Sequence, residues 1–335
     1  MTTSQPLIDP SAVTRIGIIG TGLIGAGWTA LFLREGFTVT AWDPAPGFAA
    51  ALLARLRQIF QRLDIPPAEQ TRLLAALDCG GSAEAVANEV DFIQESGPED
   101  VVTKRRIIAL LDEFAAPGIV IASSSSGLPM SDLQAGCAGA HRLVVGHPFH
   151  PVYLLPLVEI VGGSATSPET VAWAETFYRG VGKSPVVCHS ENIGFIGNRL
   201  QEAIFREALH MIDAGEATPE QIDAVITQGP GLRWSFMGPF LCYHLTGGET
   251  GIRGFFERFG ASLTQPYSRL RAPELTEALL ELVIGQTERA YGELSLEDLE
   301  GWRDERLLAL LAVLRPRETT VTTKRHDFSG RADVR

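Results

Sequence analysis

GTGLIGAG, residues 20–27, stands between a predicted strand and a predicted helix. The apolar run RIGIIG before it is typical of a buried strand, and IGAGWTALFLREG has the apolar spacing of a helix. Gly36 ends that helix, and FTVTAWD predicts the next strand. A strand, a glycine turn, a helix and a second strand form the repeating unit of an open α/β sheet.

The following residues repeat this alternation. Helical stretches separate the short apolar runs VDFIQE, GIVIASSSS and HRLVVGHPF, and the later runs LPLVEIVGG and SPVVCHS add two more strands. Strands that alternate with helices indicate a parallel sheet covered on both faces. We therefore predict a Rossmann-type, doubly wound α/β domain over residues 1–192.

After about residue 190 the pattern becomes helical throughout. Apolar residues at Leu200, Ile204, Ala208 and Ile212 form a helical stripe. TPEQIDAVITQG has the composition of a helix start with a capping box from Thr218. We predict an all-helical second domain over residues 193–315 and a flexible tail over residues 316–335, which is polar and lacks an apolar face.

Composition excludes several classes of function. The net charge of -12 argues against nucleic acid as a partner, because such a partner requires a basic face. The four cysteines are far apart in sequence, which is typical of reduced thiols rather than disulfides or a zinc cage. The chain has neither a signal-peptide pattern nor an apolar run long enough to span a membrane. We expect a cytoplasmic protein with a small-molecule partner.

The glycine spacing in the first unit predicts a dinucleotide site. Gly20 allows a tight turn, Gly22 lets the backbone approach a pyrophosphate, and an acid at the end of the next strand can bind the adenosine ribose. A glycine turn without a ligand is the alternative. No basic residue follows that acid until Arg55, so NAD is favoured over NADP as cofactor. The predicted cofactor-binding residues of this unit are Gly20, Gly22, Leu23, Ile24, Gly25 and Asp43.

GHPFHPVYLLPLVEI, residues 146–160, contains His147, His150 and Glu159. Three interpretations are open from the residues alone: a metal site, a catalytic histidine–glutamate pair, or core histidines with a surface acid. The metal interpretation is disfavoured because Pro148 and Pro151 interrupt any helical spacing of the two histidines, and no third ligand is near in sequence.

The ordered set of motifs resembles the L-3-hydroxyacyl-CoA dehydrogenases and their free-acid relatives. The motifs are GTGLIGAG, DFIQESGPED with its downstream lysine, ASSSSG, GHPFHPVYLLPLVEIVGG, GFIGNRL and GLRWSFMGPF. The resemblance implies that His147 is the general base and that Glu159 orients its ring. It also implies that Ser126 binds the reacting oxygen and His147, that Asn198 orients the same oxygen, and that the helical domain pairs in a homodimer.

Two further features follow from the same resemblance. Glu95 and Lys104 are expected beside the nicotinamide ribose of the cofactor, with a surface acid as the alternative for Glu95. His150 stands where the family usually has an asparagine near the nicotinamide. Its role stays open between a hydrogen bond near the cofactor, an influence on His147, and a solvated loop histidine.

The second domain contains candidate substrate-binding residues. Arg233 in GPGLRWSFMGPF could bind a carboxylate, and nearby aromatic faces could bind a quaternary ammonium group. L-carnitine carries both groups, and within the family the motifs are most similar to the branch that oxidises it. L-gulonate and a 3-hydroxyacyl-CoA are alternative substrates, and a crystallin-like NAD-binding structural protein is the alternative class. The aromatic candidates, which could equally be helix core, are Trp234, Phe236, Phe240 and Tyr243.

Overall fold

The computed structural model describes residues 6–263, 274, 276–291 and 295–314. The predicted flexible tail, residues 316–335, lies outside them. The strands are β1 (Arg15–Ile19), β2 (Thr38–Trp42), β3 (Leu77–Cys79), β4 (Phe92–Glu95), β5 (Val120–Ser123), β6 (Leu143–Pro148), β7 (Leu157–Gly162) and β8 (Ser184–Cys188). The helices between the strands are α1 (Leu23–Arg34), α2 (Phe48–Arg62), α3 (Pro67–Leu74), α4 (Ala83–Glu89), α5 (Val101–Phe114), α6 (Met130–Leu133) and α7 (Pro168–Gly180). The helices after the last strand are α8 (Gly197–Asp213), α9 (Pro219–Gln228), α10 (Pro230–Trp234), α11 (Pro239–Thr246), α12 (Ile252–Leu263), α13 (Glu277–Tyr291) and α14 (Leu296–Leu314).

The eight strands form one sheet in the order β3-β2-β1-β4-β5-β6-β7-β8. The chain moves outward from β1 in one direction and then, after β3, in the other, which is the doubly wound topology that the sequence predicts. The first six strands are mutually parallel. The carboxyl ends of β1, β4, β5 and β6 therefore meet at one edge of the sheet.

The last two strands differ from the expected parallel sheet. β7 runs antiparallel to β6, and β8 runs parallel to β7. The connection from β6 to β7 covers only residues 149–156 and contains no helix. A parallel crossover needs a dozen or more residues, so this short connection reverses the chain. As a consequence, His147 and Glu159 become directly opposed partners across the β6–β7 pair.

Apolar residues on the two faces of the sheet form separate clusters. In β4, Phe92 packs with the α1, α2 and α7 side, whereas its neighbour Ile93 packs with the α4, α5 and α6 side. The first side is rich in aromatic rings, with the centroids of Phe92 and Phe177 4.5 Å apart. Burial on both faces explains why the strands are continuous apolar runs.

The chain after β8 is helical, with no strand among the residues that the structure describes there. The predicted capping box is confirmed, because the Thr218 side chain accepts from the backbone N–H of Gln221 while the Gln221 side chain accepts from that of Thr218. α14 returns to the first domain, where Glu300 pairs with Arg62 of α2 at 2.9 Å. No helix in the described ranges is long and apolar enough to cross a membrane.

Candidate active site

The glycine turn between β1 and α1 brings three backbone segments into close contact. Gly20 has a φ of +90°, and a Cβ at this position would lie 2.6 Å from the carbonyl of Ser96. A Cβ at Gly25 would lie 1.8 Å from the carbonyl oxygen of Gly20. Gly22, in contrast, faces open space, with no atom within 4 Å of a Cβ built there. Two of the three glycines are thus required by packing, and the third leaves room for a ligand.

A cleft of about 570 Å³ opens beside this turn. The N-terminus of α1 has no side-chain cap, so the N–H groups that begin at Leu23 and Ile24 are available to a phosphate group. Asp43 accepts the backbone N–H of Thr21 at 2.8 Å and borders the cleft after β2. The shape, the uncapped helix and the position of the acid fit a dinucleotide with its pyrophosphate at the turn.

Glu95 and Lys104 form a buried ion pair behind the cleft. Lys104 Nζ lies 2.9 Å from both carboxylate oxygens of Glu95, and neither residue is more than 1% exposed. Glu95 also accepts the backbone N–H of Gly97 at 2.6 Å and the hydroxyl of Ser123 at 2.5 Å. These contacts hold the segment after β4 in place, and direct contact of either residue with the cofactor stays a prediction.

His147 and Glu159 meet at the end of β6. His147 Nδ1 lies 2.8 Å from Glu159 Oε2, and both side chains are buried. The other oxygen, Oε1, accepts the backbone N–H groups of Ile196 and Gly197 at 2.9 Å each. The carboxylate is therefore held between the imidazole and the first turn of α8.

These contacts determine the charge of Glu159 and the tautomer of His147. Burial raises the pKa of Glu159, but the hydrogen bonds from His147, Gly197 and Ile196 outweigh it and hold the pKa below its ordinary value. An ionised carboxylate can only accept hydrogen bonds, so His147 Nδ1 must donate. Neutral His147 then carries its lone pair on Nε2, the nitrogen that a general base would use.

Aromatic rings enclose the imidazole. The ring centroids of Phe149 and Phe195 lie 5.0 Å and 5.6 Å from that of His147. Phe195 has a φ of 47°, which is rare for a bulky residue and costs conformational energy. This backbone turn leads directly into α8, whose first N–H groups bind Glu159.

Ser126 and Asn198 are also brought together. Asn198 Nδ2 donates to the backbone carbonyl of Ser126 at 3.2 Å. The Ser126 hydroxyl lies 3.3 Å from Glu99 Oε1, an oxygen that also accepts the backbone N–H groups of Ser126 and Gly127 at 2.8 Å and 3.0 Å. The expected hydrogen bond from Ser126 to His147 stays a prediction. Sequence reasoning missed Glu99, although its place four residues after Glu95, in the same motif, was available as a signal.

His150 contacts the C-terminal helix. Arg303 of α14 donates from Nη1 to His150 Nε2 at 3.2 Å. Burial and the charge of Arg303 lower the pKa of His150, which favours the neutral ring that this bond requires. Next to it, the Tyr153 hydroxyl donates to fully buried Asp304 at 2.5 Å. The loop after His147 is therefore tied to α14, a contact that sequence reasoning missed.

The predicted substrate residues lie on α10, on α11 and between them. Arg233, Trp234, Phe236 and Phe240 are exposed, and Tyr243 stacks on Phe255 with ring centroids 4.5 Å apart. Within the described ranges, no hydrogen bond, ion pair or ring contact joins this group to His147. Among the same residues, no group of three potential ligand side chains could hold a metal ion.

Comparison with protein families matches both halves of the chain. A model of the 3-hydroxyacyl-CoA dehydrogenase NAD binding domain matches residues 15–192. A model of the C-terminal domain of the same family matches residues 194–289.

Individual relatives agree with the family match. A Streptomyces griseus protein named L-carnitine dehydrogenase is 47% identical over 306 residues, which cover 90% of each chain. A protein of the same name from Pseudomonas putida is 46% identical over 89% of this chain and 92% of its own. Among solved structures, an NAD+-dependent 5-formyl-3-hydroxy-2-methylpyridine 4-carboxylic acid 5-dehydrogenase superposes with a TM-score of 0.75 at 25% identity, covering 90% of this chain and 97% of its own. The 3-hydroxybutyryl-CoA dehydrogenase of Escherichia coli K12 has a TM-score of 0.63 at 27% identity, covering 82% of this chain and 57% of its own.

Proposed function

The chain belongs to the 3-hydroxyacyl-CoA dehydrogenase family of NAD-dependent oxidoreductases, and from this premise we propose that it oxidises the 3-hydroxyl of L-carnitine to 3-dehydrocarnitine. The observation that carries the reaction type is the buried His147–Glu159 pair at the carboxyl edge of the sheet. The similarity to relatives named L-carnitine dehydrogenase over 90% of the chain supports the substrate.

His147 acts as the general base. Its Nε2 takes the proton of the substrate hydroxyl, and the imidazolium that forms is stabilised by the ionised carboxylate of Glu159 at 2.8 Å. When bound, NAD would supply the acceptor for the hydride that leaves the carbon bearing this hydroxyl. The positive end of α8 keeps Glu159 ionised through the N–H groups of Ile196 and Gly197, so the carboxylate stays ready for the charged state.

Asn198 and Ser126 orient the reacting oxygen. Asn198 follows the two N–H groups that bind Glu159, so α8 supplies both a support for the base and an amide for the substrate. Glu99 fixes the backbone of Ser126 and thereby the position of its hydroxyl. His147, Ser126 and Asn198 then act on one substrate hydroxyl group, and Glu159 acts on it through His147.

Substrate selection rests on the second domain. Arg233 is exposed and has no ion-pair partner in the described part of the chain, so its guanidinium is available to a substrate carboxylate. Trp234, Phe236, Phe240 and Tyr243 expose aromatic faces that attract a trimethylammonium group. L-gulonate has the carboxylate without the ammonium group, and a 3-hydroxyacyl-CoA has neither at its reacting end. A crystallin-like structural protein, the alternative class, would require no turnover of any of these substrates.

We also propose a homodimer formed through the helical domain. Leu200 and Ile204 of the apolar stripe on α8 are 58% and 43% exposed, and an apolar groove of about 840 Å³ lies between α8 and α9. An apolar surface of this kind is typical of an obligate interface. A cytoplasmic location remains a prediction from the sequence.

The experiment is a substrate panel followed by NADH absorbance at alkaline pH. We expect rapid turnover of L-carnitine and slow or no turnover of L-gulonate, L-3-hydroxybutyrate and 3-hydroxybutyryl-CoA. His147→Ala should abolish the activity. Preference for the sugar acid or the thioester would refute the substrate, and full activity of His147→Ala would refute the mechanism.

A paired arginine experiment tests the carboxylate contact. Arg233→Met should raise KM for L-carnitine by about tenfold or more, because a charge-assisted hydrogen bond is lost. Arg253→Met, at another exposed arginine of the same domain, is the matched control and should leave KM unchanged. Equal effects of the two substitutions would remove Arg233 from the proposal.

A further inference from the structure

A chain of buried and partly buried hydrogen bonds ends at the cofactor cleft. From its donors and acceptors we infer that the Ser96 hydroxyl donates to the bound dinucleotide. The chain runs from Tyr178 through Gln94 and Ser124 to Ser96, and it also includes Trp28. Gln94, Tyr178 and Trp28 are buried, so each of their polar atoms must find a partner inside the protein.

The orientation of the Gln94 amide is fixed by its neighbours. Gly146 offers a backbone carbonyl at 3.3 Å, and a carbonyl can only accept, so the amide nitrogen faces it. The same nitrogen donates to Ser124 Oγ at 2.8 Å, while the amide oxygen accepts the Tyr178 hydroxyl at 2.6 Å. Burial raises the pKa of Tyr178, which keeps that hydroxyl protonated.

The proton of Ser124 then has one acceptor. Ser124 Oγ accepts one hydrogen bond from Trp28 Nε1 at 3.1 Å and a second from the Gln94 amide. These two bonds use both lone pairs of the Ser124 oxygen. Ser96 Oγ lies 2.8 Å from Ser124 Oγ and must therefore accept from it. Among the residues that the structure describes, the hydroxyl proton of Ser96 has no other acceptor, so it remains available to a ligand.

Ser96 borders the cofactor cleft, which indicates what that acceptor is. The backbone of Ser96 packs against Gly20 of the glycine turn, and Ser96 lines the same cleft as Gly22. β1 lies between β2, which carries Asp43 at its end, and β4, which leads into Ser96. Ser96 is thus on the side of the turn away from the adenosine ribose. The acceptor we assign is an oxygen of the pyrophosphate or of the nicotinamide-side ribose.

The inference does not depend on the identity of the substrate, because NAD binding can be measured alone. In isothermal titration calorimetry, Ser96→Ala should raise the dissociation constant of NAD about threefold to tenfold, the loss expected for one hydrogen bond. ADP-ribose should lose affinity by the same factor. AMP, which lacks the second phosphate and the second ribose, should bind as before.

Ser124→Ala distinguishes loss of the hydrogen bond from Ser96 to the dinucleotide from a general destabilisation of the hydrogen-bond network. It leaves Trp28 Nε1 and one of the two N–H groups of the Gln94 amide without an acceptor, so the urea midpoint of unfolding should fall. The Ser96 proton stays free, and NAD affinity should change little. Ser82→Ala, at the start of α4 and outside the cleft, controls for loss of a serine hydroxyl. Unchanged NAD affinity in Ser96→Ala, equal loss in Ser96→Ala and Ser124→Ala, or a matching loss for AMP would each overturn the inference.

Discussion

Replacing Glu159 by glutamine changes the hydrogen bonding of the base with almost no change in shape. The carboxylate accepts three hydrogen bonds, one from His147 and one each from the N–H groups of Ile196 and Gly197. An amide has only one accepting atom. If its oxygen stays on the two backbone donors, its nitrogen faces His147 Nδ1 and forces the proton onto Nε2, where it blocks the base.

The size of the effect follows from the lost contact. A hydrogen bond to a charged group contributes about 1.5–3 kcal/mol, which corresponds to about 10- to 150-fold in rate. The tautomer change acts in the same direction, so we expect kcat of Glu159→Gln to fall by about 100-fold or more. NAD affinity should not change, because Glu159 does not border the cofactor cleft.

The assay measures kcat, KM and the NAD dissociation constant for Glu159→Gln and for a control. Glu175→Gln is that control, because Glu175 is partly exposed on α7 and, in the described chain, pairs only with the neighbouring Arg179. The depressed pKa of Glu159 contributes stability above pH 4.5, and that contribution is lost as the pH falls through the folded-state value. The stability difference between the parent and Glu159→Gln should therefore shrink in acid. A kcat within about threefold of the parent would refute this reasoning.

Four further substitutions test the glycine turn and two buried polar groups. Gly22→Ala should fold normally and bind NAD at least about tenfold more weakly. Gly25→Ala should fail to fold, because its Cβ would lie 1.8 Å from a backbone oxygen. Circular dichroism measures the folding of each variant, and calorimetry measures NAD binding. Burial lowers the pKa of Lys183 from 10.5 to about 7, so between those pH values the unfolded chain binds one more proton than the folded chain and stability should rise with pH. In urea titrations Lys183→Met should lose that rise. An unchanged dependence of the unfolding free energy on pH would contradict this prediction. Tyr153→Phe removes a donor from buried Asp304 and should cost about 1–3 kcal/mol in unfolding free energy, with an unchanged urea midpoint as the opposing result.

Local sequence was sufficient for the cofactor half of the fold. The spacing of the three glycines predicts the turn, at which packing requires Gly20 and Gly25 while Gly22 leaves room for a ligand. The alternation of apolar runs and helices predicts the doubly wound sheet. Both signals come from residues that are close in the chain. The position of the acid after β2 was predictable for the same reason.

Contacts between distant residues were not predictable in this way. The direction of β7 depends on the short connection 149–156, although apolar runs look alike in parallel and antiparallel strands. The bond from Arg303 to His150 joins residues 153 positions apart, and no periodic pattern marks it. The free proton of Ser96 depends on Ser124 and on side chains from several elements, so it requires the folded structure.

We propose that the enzyme removes a hydride from C3 of L-carnitine and transfers it to NAD. The most direct test is to incubate the protein with NAD and L-carnitine deuterated at C3, and to analyse the reduced cofactor by mass spectrometry. We expect deuterium in the NADH, and loss of this product in His147→Ala. NADH without deuterium, or no reduction of NAD by this substrate, would contradict it.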